Sequence, residues 1–291
     1  MRSKLVATAA FGVAVLSLVG GCGSSQPAAK APAGGLSGIT VPAKGKSPTI
    51  DAIRKAGVIT VGVGVLAPWE LQDPSTGNYT GPAITLAKDI GKALGVKVQF
   101  VATEASNIAV AGLQSNKFEL TVAPLYETPQ RAQVVNFVTW TSDGTCYFAK
   151  KSNNKVTTLS SLDNSNVSFV LYAGTGTQQA VEGKYTKAKF NVVEAPPSGL
   201  PPFNEVLAGR GDVGTIDASL AFYVAKQYPT LKIIPAPAAC IAHPDLQLPI
   251  GMAVNKGDPA FVSFLKSVVT KEQPTINALL KKYSSPKYVH Y

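Results

Sequence analysis

From Ile50 onward, the chain alternates short runs rich in β-branched residues with stretches of helical periodicity. This alternation is typical of α/β folds, in which helices connect mostly parallel strands. The pattern predicts strands at 58–63, 96–101 and 118–123 and helices at 84–94 and 108–113. These elements form one β-α-β-α-β unit.

The pattern then restarts, which predicts a second unit of the same class. Its predicted strands are 146–149, 167–171, 190–194, 212–216 and 231–234, and its helical segments are 159–162, 177–185, 203–208 and 218–227. A strand at 250–254 precedes apolar residues at helical spacing, and Pro274 is expected to break that last helix in two. The 291 residues are enough for two units, at roughly 100–200 residues per domain.

Residues 1–21 have the pattern of a secretory signal, because Arg2 and Lys4 precede an uncharged apolar stretch at 5–19. The stretch ends in Leu-Val-Gly-Gly-Cys (18–22), which resembles the lipobox of bacterial lipoproteins. The resemblance implies that Cys22 is acylated, with palmitate among the fatty acids expected, and becomes the new N-terminus. A plain signal peptide and a single N-terminal membrane helix are the alternatives.

Residues 22–47 are rich in Gly, Ser, Ala, Pro and Lys, so burial cannot repay the entropy of ordering them. We expect a flexible tether, with a reach of about 25–30 Å for about 25 residues. Beyond it, Cys146 and Cys240 remain. In an exported protein these two thiols are expected to pair, and two separate buried thiols are the alternative.

Composition argues against several classes of protein. The net charge of +10 is spread over scattered lysines without interleaved aromatic residues, so no nucleic acid is expected as a partner. The chain has no Walker loop and no Gly-x-Ser-x-Gly elbow, and its two histidines, His243 and His290, lie in a Pro-rich stretch and near the C-terminus. We expect no hydrolase chemistry, no cofactor and no metal.

Three polar segments follow predicted strands, where open α/β sheets bind ligands. In Thr-Pro-Gln-Arg (128–131), the threonine can cap a helical turn from which Arg131 emerges, and the arginine fork matches a carboxylate. Ala-Gly-Thr-Gly-Thr (173–177) opens a helix and can seat an anion. Asp217 adds a carboxylate after the strand at 212–216. Together these groups complement a zwitterion.

A series of fragments between Ile50 and Tyr283 gives a more specific indication. They are DAIRKAGVITVGV (51–63), APW (67–69), GNYTG (77–81), LAKDI (86–90), LGVKV (94–98), LQSNKFE (113–119), TPQR (128–131), NF (136–137) and GMAVNKGD (251–258). Their order and spacing resemble those of the amino-acid-binding family of type II solute-binding proteins of ABC importers (family 3). The resemblance implies two Rossmann-like α/β lobes joined by two hinge strands. Lobe 1 would comprise 48–143 plus 249–291 and lobe 2 144–248, with hinges near 141–145 and 246–250.

The resemblance also implies how the carboxylate of an amino acid is bound. Arg131 would contact the α-carboxylate, and Thr175, the N–H of Gly176 and Thr177 would complete its seat. The alternatives are that Arg131 forms a surface ion pair and that Gly176 serves only a turn.

The α-ammonium group would bind Asp217, with the carbonyl of Pro124 and the side chain of Tyr126 completing its surroundings. The alternative for Asp217 is a simple helix N-cap, a role that aspartate often takes at the start of a helix.

Two departures from the family pattern concern the ligand's side chain. Leu66 and Ser106 stand where relatives sandwich the ligand with an aromatic residue and its partner. Tyr126 is expected to refill that volume, with Trp69 and Glu70 nearby. No acidic residue is aimed at a cationic tip, so we expect an apolar or small side chain rather than that of arginine or lysine.

The expected function follows from these implied features. The chain would be a lipid-anchored, exported, monomeric binding protein that captures an amino-acid-like solute and delivers it to the transmembrane subunits of an ABC permease. It would face the periplasm or the extracellular side. No catalysis is expected; a cyclohexadienyl-dehydratase-like enzyme on the same fold and a ligand-sensing lobe for a receptor are the alternatives.

Overall fold

The computed structural model describes residues 36, 38–103, 106–196 and 201–285, which belong to one compact unit at 32–291. The signal, Cys22 and most of the tether lie outside the described residues. The helices are α1 (Pro48–Ala56), α2 (Pro82–Leu94), α3 (Ser106–Gln114), α4 (Pro129–Ala132), α5 (Gly176–Lys184), α6 (Phe203–Leu207), α7 (Ala221–Gln227), α8 (Pro237–Ala242) and α9 (Pro259–Tyr283), with 3-10 turns at Leu159–Ser161 and Ala218–Leu220. The strands are β1 (Val58–Val63), β2 (Leu71–Gln72), β3 (Tyr79–Thr80), β4 (Lys97–Ala102), β5 (Leu120–Tyr126), β6 (Val135–Lys150), β7 (Ser168–Tyr172), β8 (Lys189–Val193), β9 (Val213–Asp217), β10 (Leu231–Ile234) and β11 (Leu246–Asn255).

One sheet runs through the whole unit in the order β4-β1-β5-β11-β6-β9-β7-β8, and β10 also pairs with β6. The strands β4, β1 and β5 are parallel to one another, and so are β9, β7 and β8. The long strands β6 and β11 join these two parallel groups and pair with each other antiparallel from Val135 opposite Asn255 to Thr145 opposite Leu246. This arrangement confirms the expected fold class, two α/β units connected by two shared strands.

Buried apolar side chains form separate clusters on the two sides of this β6–β11 junction. The elements that precede Asp143, together with α9 and the end of β11, form what we call the first lobe. They surround one large cluster and one small one. The elements between Gly144 and Leu248 surround two clusters of similar size, one on each face of the sheet, and we call them the second lobe.

The turn before α2 fixes the position of Trp69 and Glu70 in the first lobe. Gly81 has φ +120°, and a Cβ there would lie 2.3 Å from the carbonyl oxygen of Trp69. The N–H of Ala83 donates to that same oxygen at 3.2 Å. Only glycine fits this close approach, so the turn holds the Trp69–Glu70 segment against the start of α2.

The C-terminal helix corrects one expectation, because α9 continues through Pro274 instead of breaking there. Proline removes one backbone hydrogen bond, but buried side chains lie on both sides of it, among them Val269 and Ile276. The side chain of Gln273 also donates to the carbonyl of Trp140 at 3.2 Å. Packing onto the first lobe therefore outweighs the local cost of the proline.

Cys146 of β6 and Cys240 of α8 form a disulfide, with their Cα atoms 6.0 Å apart. Both residues are fully buried, and the bridge lies within one cluster of the second lobe. Within the part of the chain that the structure describes, no helix is long and apolar enough to cross a membrane.

Candidate functional site

The carboxyl end of β5 positions two of the expected site residues. Tyr126 is the last residue of β5, which extends beyond the strand predicted at 118–123. Thr128 then caps α4, since its hydroxyl accepts from the N–H of Arg131 at 3.3 Å. The Thr-Pro-x-Arg segment thus folds as expected, and Arg131 faces inward at only 8% exposure.

The guanidinium of Arg131 connects the two lobes. Its Nη1 donates to the carbonyl of Tyr126 at 2.9 Å, and its Nη2 donates to the carbonyl of Gly174, in the second lobe, at 3.3 Å. Burial lowers the pKa of Arg131, because the charged group loses hydration, yet a guanidinium stays protonated in proteins. The side chain is therefore a buried cation that lies between the lobes.

The loop at 173–177 approaches the first lobe closely. The hydroxyl of Thr175 caps α5 by accepting from the N–H of Gln178 at 3.1 Å, and Thr177 lies partly buried in the first turn. A Cβ on Gly176 would lie 2.7 Å from the Cβ of Tyr126 and 3.0 Å from the Cγ2 of Thr128. Gly176 is therefore required for the close approach of the lobes and does more than serve a turn.

Asp217 ends β9 and stands first before a 3-10 turn, but its side chain makes no capping hydrogen bond. Its Oδ1 instead accepts from the hydroxyl of Tyr126 across the cleft, at 2.5 Å. Burial raises the pKa of Asp217. Burial and the neighbouring negative charge of Asp217 raise the pKa of the Tyr126 phenol well above its ordinary value. Asp217 therefore occupies the N-cap position without capping the turn through its side chain.

Asp143 is a functional candidate that sequence reasoning missed. It lies in β6, in the expected hinge, and its Oδ2 accepts from the hydroxyl of Ser219 at 2.7 Å. Its Oδ1 accepts from the N–H of Gly144, also at 2.7 Å. Burial and the negative charge of Asp217 raise the pKa of Asp143. The available signal was an acid inside the segment 141–145, which the resemblance identifies as a hinge.

Glu70 is an isolated buried acid in the first lobe. It is fully buried, and its Oε2 accepts from the N–H of Gly64 at 2.8 Å. Its Oε1 has no hydrogen-bond partner among the described residues. Burial raises the pKa of Glu70 to about 8, so the carboxyl is mostly neutral at pH 7.

The remaining predicted positions are more dispersed. Leu66 forms a β-bridge with Glu70 and packs partly buried against the large cluster of the first lobe. Trp69 is buried and lines a cavity of about 400 Å³ between the lobes. Pro124 lies partly buried within β5. The side chain of Ser106 lies outside the described residues. The structure therefore brings together Arg131, Tyr126, Gly176 and Asp217, but not the whole predicted set.

Two α/β lobes joined by two shared strands are the fold of the type II solute-binding proteins. The chain belongs to the bacterial extracellular solute-binding proteins, family 3, whose family model matches residues 59–286.

Three relatives illustrate the similarity. The chain is 29% identical to an ancestral amino acid-binding protein described as a precursor of cyclohexadienyl dehydratase, with a TM-score of 0.66 over 81% of this chain and 99% of that one. It is 27% identical to the cysteine-binding protein of Campylobacter jejuni, with a TM-score of 0.65 over 83% and 94%. It is also 29% identical over 106 residues to the L-cystine-binding protein TcyA of Bacillus subtilis (strain 168). That match spans 36% of this chain and 39% of the curated relative's length.

Proposed function

We propose that the protein binds an amino-acid-like solute between its lobes, holding the α-carboxylate at Arg131 and the α-ammonium at Asp217. One observation carries this proposal. Arg131 donates to the carbonyl of Tyr126 and, in the other lobe, to that of Gly174, and the hydroxyl of the same Tyr126 donates to Asp217, so a buried cation and a carboxyl from different lobes both contact Tyr126. A zwitterion has the matching pair of charges.

The same arrangement explains how binding would be coupled to closure. A zwitterion held by both lobes binds the closed form better than an open one, and this difference in affinity shifts the population of conformations. The ammonium group would replace the Tyr126 hydroxyl at Asp217. Thr175, Gly176, Thr177 and the carbonyl of Pro124 would complete the surroundings.

The names of the relatives support an amino acid as ligand, because these proteins are described as binding an amino acid, cysteine and L-cystine. The ancestral relative, in a second structure at 30% identity, is described as binding a cationic amino acid. The ligands in these names differ in their side chains but share the α-amino acid head group. We therefore propose the head group as the common determinant and delivery of the monomeric, loaded form to the transmembrane subunits of an ABC permease.

Calorimetric titration tests the proposal with matched compounds. An L-amino acid that binds is compared with the amine lacking its carboxylate and with the acid lacking its ammonium. We expect each truncated compound to bind at least about 30-fold more weakly, since each leaves a desolvated charge unpaired. Equal binding of either truncated compound would show that the cleft does not recognise a zwitterion.

We also propose export and anchoring through a lipidated Cys22, which rests on the lipobox-like Leu-Val-Gly-Gly-Cys (18–22). Replacing Cys22 by Ala should move the protein from the membrane to the soluble fraction. Unchanged retention of the Cys22→Ala variant would contradict lipid anchoring.

We propose binding without catalysis, although the ancestral relative is described as a precursor of a dehydratase. Incubation with prephenate or arogenate is expected to give no aromatic product. Formation of phenylpyruvate or phenylalanine at a rate proportional to protein would favour the enzyme alternative.

A further inference from the structure

The cavity of about 400 Å³ lies beside the hinge strands and is lined by both lobes. The first lobe contributes Trp69 and Leu280, the second contributes Ser219 and Phe222, and the hinge contributes Asp143. Its volume is in the range of small-molecule sites, which is roughly 300–1,000 Å³. Phe222 is 56% exposed, so an apolar ring stands at this cavity without being needed for the core.

The charge among the described residues that line this cavity is of one sign only, and it is negative. Asp143 is the single acid among its described lining residues, and no Lys, Arg or His is among them. The carboxyl is held by Ser219 from the second lobe and by the next N–H of its own strand. These two bonds fix the direction of the carboxyl without neutralising its charge.

The balance of charges in the cleft then restricts the solute. In the proposed function, the α-carboxylate neutralises Arg131 and the α-ammonium neutralises Asp217. Asp143 remains as a second negative charge close enough to Asp217 for the two carboxyls to influence each other. A solute with a neutral side chain would leave Asp143 either unpaired or protonated, whereas a cationic side chain would pair with it.

We propose that this cavity receives the side chain of the solute and that Asp143 binds a cationic nitrogen at its end, so that the ligand is an amino acid with a basic side chain. Trp69 and Phe222 would contact the methylene stem and the cation. This inference rests on the proposed function and replaces the sequence-based expectation of an apolar or small side chain. A double amino acid such as cystine fits less well, because no cationic residue lines the described cavity to meet a second carboxylate.

Lysine and norleucine provide the test, since they have the same chain length and differ by the terminal ammonium. Calorimetric titrations use the wild type, Asp143→Asn and the control Asp163→Asn. The control alters a carboxyl that lies in the loop before β7 and pairs with Lys187. Arginine, ornithine and cystine complete the set of ligands. We expect wild-type protein to bind at least one basic amino acid about 30-fold or more tighter than norleucine.

The Asp143→Asn variant should lose about 30-fold in affinity for the basic amino acid and change little toward norleucine. Asp163→Asn should change neither. The Asp143→Asn change keeps the shape of the side chain and removes repulsion with Asp217, so the variant should fold, which a thermal melt checks. A second variant, Ser219→Ala, removes the hydroxyl that orients Asp143 and should weaken basic ligands selectively.

The titrations distinguish failure of this inference from failure of the proposed function. If norleucine binds as tightly as every basic amino acid, this inference is wrong and the proposed function stands. If cystine alone depends on Asp143, the class of side chain assigned here is wrong. If no α-amino acid binds the wild type, the proposed function itself fails.

Discussion

The two lobes share one architecture but are stabilised differently. The first lobe concentrates its buried side chains in one large cluster between the sheet, α2 and α9. The second lobe divides its core between the two sheet faces. One face contains the Cys146–Cys240 disulfide, and on the other Asp245 accepts from the hydroxyls of Tyr147 and Tyr185 at 2.7 and 2.6 Å.

The difference shows which part of the second lobe is held by a covalent bond and by specific polar interactions. Cys240 lies in α8, and Asp245 lies directly before β11 in the short stretch that connects the two elements. Lys184 adds an ion pair to Asp245 at 2.6 Å. This stretch enters a hinge strand, so the disulfide and the Asp245 network fix its position where apolar burial is limited. The first lobe has no disulfide among its described residues and packs α2 and α9 on the sheet through one larger apolar cluster, and the predictions below test that contrast.

The largest effect is expected from Glu70, the buried acid of the first lobe. Its pKa is raised from 4.5 to about 8, so folding favours the protonated form. The stability that this difference in pKa contributes is therefore fully present below pH 4.5. As the pH rises toward 8 it is lost, and the free energy of unfolding falls by on the order of 4 kcal/mol. We expect Glu70→Gln to flatten this decline in guanidinium unfolding at pH 5 to 8.5. Glu194→Gln, at an exposed position, is the control. An unchanged pH slope in Glu70→Gln would contradict the assignment.

Removing the disulfide should affect the second lobe selectively. We expect the Cys146→Ala/Cys240→Ala variant to lose about 2–4 kcal/mol of stability. Both tryptophans, Trp69 and Trp140, belong to the first lobe, so their fluorescence reports that lobe, whereas far-UV circular dichroism reports the whole chain. The variant should lose dichroism at lower denaturant than fluorescence. Coincident transitions at the wild-type midpoint would mean that the lobes do not differ in this way.

Arg131 and Asp217 should contribute about equally to ligand binding, although the two lobes are stabilised differently. We expect Arg131→Ala in the first lobe and Asp217→Ala in the second each to weaken binding by roughly 30-fold or more, which corresponds to about 2 kcal/mol. Titration with the best-bound amino acid measures this loss. Arg210→Ala removes an exposed arginine that pairs with Glu205 and serves as the control. Wild-type affinity in either cleft variant would show that its lobe contributes no essential contact.

The smallest effect is expected at Tyr126. The Tyr126→Phe variant keeps the ring and removes the hydroxyl that donates to Asp217, so the ligand's ammonium no longer competes with it. One neutral-to-charged hydrogen bond contributes about 1.5 kcal/mol, so affinity should rise about tenfold at most. Small-angle scattering of the free variant should also show a larger radius of gyration. A fall in affinity would mean that the hydroxyl contacts the ligand directly.

The sequence predicted what local periodicity and short motifs determine. The alternating pattern located part of every long strand, although it predicted only 146–149 of β6, and Thr128 capped the turn that carries Arg131 as expected because capping is a local interaction. Pro274 was misjudged because the stability of α9 comes from packing on distant strands. Strand β5 begins after the predicted start at 118 and continues past the predicted end at 123, with Pro124 inside it.

Non-local groupings could not be predicted in the same way. Asp143 acquires its significance from Ser219 and Asp217, more than seventy residues away in the chain, and from a cavity that both lobes line. Glu70 was named as a candidate, but its isolation depends on burial that the sequence does not show. The pairing of Cys146 with Cys240 was expected from the compartment and is confirmed by the structure.

The continuous pairing of β6 with β11 has a mechanical consequence. The ladder slips in register between Ile250 and Gly251, so bending is concentrated there while pairing persists on both sides. Rotation about that line moves the outer rim most, and it separates the Gln130 and Gln179 side chains, now 2.7 Å apart. Asp143 lies beside the rotation axis and moves least. The deep end of the cleft would thus separate less than the rim, and the solute's side chain would meet Asp143 and Ser219 before its α-amino acid head is enclosed.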